Sequence, residues 1–149
     1  MQRSRVLADT RPLRNPDYRR LWVANAITVV GAQLTVVAVP AQIYADTGSS
    51  AYVGLTGVFG LVPLVVFGLY GGALADTFDR RTLLMITTVG LIVTSGLFWA
   101  QAAAGSTNVW LLLGLFSLQQ AFFGVNQPTR SALIPKLVEP ELLPAANSL

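Results

Sequence analysis

The sequence contains no cysteine and no histidine, and only ten basic and seven acidic residues among 149. Without cysteine there is no disulfide and no thiolate nucleophile, and without histidine no imidazole general base or metal ligand. Charged residues make up 11% of the chain, against about a quarter in an ordinary soluble domain, while 53% are hydrophobic. This composition predicts a membrane protein.

Three long stretches carry no charged residue, and they cover 21–45, 47–75 and 82–129. A membrane-spanning helix needs about 20 mainly apolar residues. The third stretch is too long for one span and is interrupted by the small, polar segment "AAAGSTN", so it predicts two helices joined by a turn. We therefore expect an all-α membrane protein with four transmembrane helices, near 21–45, 53–75, 82–103 and 109–130.

All ten basic residues fall on one predicted side of the membrane. By the positive-inside rule that side is the cytoplasm, which predicts a multi-pass protein of the cell membrane whose N-terminus is cytoplasmic. Residues 1–20 form a cytoplasmic arm, with Asp17 as a predicted helix N-cap, and 131–149 form a cytoplasmic loop and the start of a fifth helix. The basic excess reflects this topology in the lipid bilayer, so no nucleic-acid partner is expected.

Polar side chains form stripes on the first and fourth predicted helices. Thr28 and Thr35 are seven residues apart, and Asn25 lies near the same face. A similar stripe on the fourth helix contains Gln119, Asn126 and Arg130, with two more amides beside it, Gln120 and Gln127. These groups predict either a shared polar cavity or hydrogen bonds between packed helices.

The segment "GGALADTFDRR" at 71–81 separates the second and third helices. Asp76 falls at the C-terminal end of its helix, where the helix dipole disfavours negative charge, so it requires a positive partner. Gly68 and Gly72 share its face and let a neighbouring helix approach closely. Asp79 is the predicted N-cap of the third helix.

Gly72, Asp76, Arg80 and Arg81 reproduce the spacing G-x-x-x-D-x-x-x-R-R, which resembles the loop between the second and third helices of the major facilitator superfamily. An aspartate directly before the arginine pair, here Asp79, resembles the loop of one subgroup of exporters. That subgroup includes enterobactin and macrolide efflux proteins. The segments "NPDYRRLW" and "NQPTRSALIPKLVEPELLPAANSL" resemble the same subgroup.

The resemblance implies a twelve-helix transporter in which these four helices belong to the N-terminal six-helix half, so we expect the chain to be a fragment or a truncated product. It implies efflux of a small amphipathic compound by alternating access. The glycine, both aspartates and both arginines of the motif would act as a conformational latch. Arg130 is the expected cytoplasmic charge partner, and Gln33 is expected to orient substrate in the cavity. A proton-coupling acid is expected only in the missing helices of the transporter, because no acid lies mid-span here.

Three other classes of membrane protein share features with this sequence. A phosphatidyltransferase-like enzyme is rejected because Asp76 and Asp79 are separated by only two residues, and no enzyme activity, metal or cofactor is expected. A dimeric small multidrug-type transporter of four helices matches the span count but needs a glutamate in its first helix. A non-transporting membrane assembly subunit stays open from the sequence alone.

Overall fold

The structure is a computed structural model that describes residues 10–148, without the side chain of the last. The helices are α1 Pro16–Thr47, α2 Ser50–Thr77, α3 Arg80–Ala103, α4 Val109–Leu137 and the short α5 Leu143–Ser148. Two 3₁₀ turns cover Arg11–Arg14 and Pro140–Leu142, and the described range contains no strand. The predicted all-helical class is confirmed. Parts of the expected arm, 1–9, and the final residue of the expected fifth-helix start lie outside this range.

Helices α1 to α4 are each long and apolar enough to cross a membrane. Every one of them covers the corresponding expected span, and α4 continues to Leu137, beyond the expected end at residue 130. Large apolar side chains such as Val30, Leu69 and Trp99 are exposed on the outside of the bundle. Exposed apolar surface of this extent suits contact with lipid chains and not with water.

The helix ends are fixed by short-range hydrogen bonds that the sequence largely specifies. Asn15 is the N-cap of α1, and its Oδ1 accepts from the amide of Asp17 at 3.0 Å. The expected cap at Asp17 is therefore wrong by two positions, because Pro16 already occupies the first helical position. Gly48 ends α1 with a left-handed backbone, φ 64°, a conformation that suits glycine.

Helix α4 lies at the centre of the bundle. In the most apolar segment of α4, half of the residues are buried, whereas in the corresponding segment of α1 only 6% are buried. Its Phe116 ring covers Gly60 of α2, and its Gly124 meets the α2 backbone so closely that an added Cβ would lie 2.8 Å from the carbonyl oxygen of Leu64. The α2–α4 pair is thus a close helix contact that depends on small residues.

Toward the C-terminal end of α2, the glycine that faces α4 is Gly71. A Cβ on Gly71 would lie 2.9 Å from the Cα of Val125, whereas a Cβ on Gly72 would meet nothing within 4 Å. The sequence predicts that Gly68 and Gly72 form the close-packing face of α2. In the structure, Gly71 takes the place of Gly72 in this contact. Gly72 faces open space beside the four helices.

An apolar cluster closes the end of the bundle that carries the basic residues. It contains the buried side chains of Tyr18, Val138 and Ala146. The Tyr18 hydroxyl donates to the carbonyl of Ala146 at 2.9 Å, and the Asn15 side chain donates to the carbonyl of Leu137 at 2.6 Å. The start of α1 is thereby joined to the end of α4 and to α5.

Candidate functional site

A cleft of about 300 Å³ lies between α1, α3 and α4. Its polar lining includes Thr28 from α1, Ser95 from α3 and Gln119 from α4, and its apolar lining includes Ile27 and Phe123. A mainly apolar cleft with a few converging polar groups is the usual form of a site for an amphipathic small molecule.

Gln119 is the cleft residue whose polar atoms are least satisfied within residues 10–148. Its Oε1 is buried and has no hydrogen-bond partner there. The hydroxyls of Thr28 and Ser95 instead donate to carbonyls of their own helices, Ala24 at 2.8 Å and Leu91 at 2.8 Å. An unsatisfied buried amide oxygen costs about 1–3 kcal/mol, so a ligand that donates to Gln119 would recover part of that cost.

The other residues expected in the cavity are distributed differently. Gln33 is exposed, and Thr35 donates to the carbonyl of Gly31 at 3.0 Å; neither lines the cleft. Gln120 is buried within the bundle, and the buried Nε2 of Gln127 has no partner among the described residues. Asn25 lies in a separate, smaller cavity near the basic end.

Asn126 is completely buried and joins α3 to α4. Its Nδ2 donates to the hydroxyl oxygens of Thr87 at 2.9 Å and Thr88 at 3.3 Å. Its Oδ1 accepts from Arg130 at 3.2 Å, and Arg130 also donates to the carbonyl of Leu21 at 3.0 Å. This chain of hydrogen bonds connects three helices, so Asn126 acts as interhelical contact and does not line the cleft.

The sequence predicts Arg130 as a cytoplasmic charge partner. The structure places its guanidinium, only 5% exposed, against the neutral groups of Leu21 and Asn126. Asp76 instead lies 3.9 Å from Arg80. Within residues 10–148 the expected pairing of Arg130 with a carboxylate is not present.

Arg80 connects the α2–α3 loop to the C-terminal part of α4 by hydrogen bonds. Its Nε donates to the carbonyl of Ala75 at 3.3 Å, and its NH1 group donates to the carbonyl of Ala132 at 3.0 Å. The ion pair with Asp76 is long, and the Asp76 side chain is 78% exposed. Since exposed ion pairs contribute little, the Asp76 carboxylate is available to another group.

Asp79 caps α3 as the sequence predicts. Its Oδ2 accepts from the amide of Thr82 at 3.2 Å and from the Thr82 hydroxyl at 2.9 Å. These hydrogen bonds to the charged form lower the pKa of the Asp79 carboxyl from its ordinary value. Arg81 is exposed in the first turn of α3.

The sequence interpretation missed the polar residues of α3. Thr87 and Thr88 bond Asn126, and Ser95 lines the cleft. The sequence does contain a signal for these polar residues. Thr87 and Thr94 are seven residues apart, and so are Thr88 and Ser95. Each pair therefore forms a stripe, and the two stripes adjoin on one face of the helix. The backbone acceptors at Leu21 and Ala132 carry no comparable signal.

Four long apolar helices, with a cleft between three of them and a buried polar network, are the features of a multi-pass membrane protein. The chain belongs to the major facilitator superfamily, in the family described as "Transmembrane secretion effector", whose profile matches residues 8–149. This membership confirms the resemblance and does not favour the four-helix dimer or the assembly subunit.

The chain is also similar to several proteins named enterobactin exporter. Those of Shigella boydii serotype 18, Citrobacter koseri and Escherichia coli O1:K1 are each 31% identical over 137 residues. The aligned region is 91% of this chain and 32% of each relative, so the chain spans about a third of their length. No solved structure matches it.

Proposed function

We propose that these helices form part of an efflux transporter that moves a small amphipathic compound, a drug or a siderophore, across the cell membrane by alternating access. The observation that carries this proposal is the cleft between α1, α3 and α4 with the unsatisfied amide of Gln119. Family membership and the exporter names of the relatives support the direction of transport. The remaining helices of the transporter would complete the cavity and supply the acidic residue that an antiporter needs.

Gln119→Leu is expected to weaken substrate handling by the full-length transporter. Loss of one hydrogen bond to a bound ligand corresponds to about 1 kcal/mol, or a roughly fivefold rise in the half-saturating substrate concentration. The measurement is initial efflux rate against substrate concentration in proteoliposomes. Gln42→Leu is the matched control, because it is the same substitution in a membrane helix at a position outside the cleft. Equal effects of the two substitutions would contradict the placement of substrate in the cleft.

The loop motif is proposed to be a conformational latch on the cytoplasmic face. Its parts are Gly72, Asp76, Asp79, Arg80 and Arg81. Open space at the glycine and strong exposure of Asp76 support this role, because they leave room and charge for a helix from outside the described bundle. Arg80 would hold the loop in position through its bonds to α2 and α4, and Asp79 would fix the start of α3.

The end of the described bundle that carries the basic residues, and with it both termini of the chain, is proposed to be cytoplasmic. Single cysteines at Gly48 and Ser106 are expected to react with an impermeant maleimide added to intact cells, and a cysteine at Asp79 only after permeabilisation. The reason is the absence of Lys and Arg from the α1–α2 and α3–α4 loops and their concentration at the other end. Labelling of position 79 in sealed cells would contradict this orientation.

A further inference from the structure

A second cavity, of about 170 Å³, lies near the basic end of the bundle, where α1, α4 and α5 meet. Tyr18, Trp22 and Asn25 line it from α1, Arg130 from α4, and Asn147 from α5. It shares no lining residue with the cleft assigned to efflux. Its character is therefore set by one cation, two amides and two aromatic rings.

The guanidinium of Arg130 is buried, and within residues 10–148 it has no counter-charge beside it. Of its five N–H groups, two have protein acceptors, the carbonyl of Leu21 and the side chain of Asn126. The Nε is buried and has no partner among the described residues. A buried cation held only by neutral groups is costly, because arginine stays protonated and its desolvation is not offset by an opposite charge.

Asn25 is also incompletely satisfied. Its buried Oδ1 has no hydrogen-bond partner within residues 10–148. Its amide lines the same cavity as Arg130 and can turn a donor toward a ligand. A guanidinium and an amide facing one small cavity are the groups that proteins use to hold a carboxylate or phosphate.

We propose that this cavity binds one compact oxyanion, a phosphate or carboxylate group, between Arg130 and Asn25. The oxyanion supplies the negative charge that the described chain does not provide. The partly exposed Trp22 is a residue type that sits at the membrane interface, and the cavity lies at the end of the bundle that carries the basic residues, so we place the site at the depth of lipid headgroups. The group can therefore come from an anionic lipid or from a soluble anion, and the chemistry of recognition is the same.

The test uses the full-length protein with every tryptophan except Trp22 replaced by phenylalanine, so that emission reports on the cavity. Inorganic phosphate is titrated in a neutral detergent. In parallel, nanodiscs of phosphatidylcholine are compared with nanodiscs that also contain phosphatidylglycerol. We expect a saturable change in Trp22 emission that Arg130→Gln weakens at least tenfold. Lys136→Gln should leave it unchanged, since it removes the same charge from an exposed position on the same helix.

A second variant keeps the test valid if Arg130→Gln does not fold. Asn25→Asp places a carboxylate inside the cavity, so it should abolish the phosphate response and raise the melting temperature in lipid-free detergent. A response to phosphate identifies a soluble oxyanion as sufficient, and a response only to phosphatidylglycerol identifies the headgroup as the source. Both support the site.

Two results would overturn it. One is no change in Trp22 emission with either probe, as expected if water or an acidic side chain of the full-length protein already satisfies Arg130. The other is an equal loss of response in Lys136→Gln, which would mean that surface charge alone attracts the anion. Neither readout requires transport, so failure of the efflux proposal would leave this result interpretable.

Discussion

Gly124→Leu is expected to separate α2 from α4 and to lower the free energy of unfolding by about 3 kcal/mol. Even the first carbon of a side chain at position 124 would lie 2.8 Å from the carbonyl oxygen of Leu64 and 3.1 Å from the amide nitrogen of Gly68. Both are backbone atoms, so the clash cannot be relieved by a change of rotamer and requires a shift of one helix. In a close-packed interior such overpacking is destabilising.

Gly114→Leu is the matched control for this substitution. It places the same side chain on the same helix at a position where a Cβ meets nothing within 4 Å. The melting temperature of the purified full-length protein in detergent should fall for Gly124→Leu and stay near that of the wild type for Gly114→Leu. If both substitutions gave the same melting temperature, the α2–α4 contact described here would be wrong.

Asp76→Asn is expected to lower efflux by the full-length transporter by up to about thirtyfold while leaving the stability of the bundle nearly unchanged. The side chain is 78% exposed and its pair with Arg80 is long, so little is lost within the four helices. The proposed loss is a charge-to-dipole contact with another helix, of about 0.3–2 kcal/mol, which biases the equilibrium between two states.

The measurement is efflux at matched membrane abundance, together with the accessibility of a cysteine in the cytoplasmic half of the cavity. Gly72→Leu should also reduce efflux, because it fills the space that a partner helix would occupy. The double substitution should be less than additive, since both changes affect one contact. Unchanged efflux and accessibility in Asp76→Asn would show that the carboxylate is a solvated loop charge and not part of a latch.

The features that the sequence determined are those that depend on hydropathy along the chain or on neighbours within one helical turn. Four helices long enough to span a membrane follow from the charge-free stretches, because each helix satisfies its own backbone in lipid. The Asp79 cap follows from local hydrogen bonding to Thr82. The sequence does not distinguish the cap at Asn15 from one at Asp17, because both residues that flank Pro16 are suitable N-cap types.

The tertiary structure alone decided which side of each helix meets a neighbour. Periodicity places Thr28 and Thr35 on one stripe, but of these two only Thr28 lines the cleft. Similarly, Gly71 and not Gly72 meets α4. The physical reason is that a stripe fixes relative positions on one helix, whereas the rotation and crossing of packed helices depend on the fit of both surfaces.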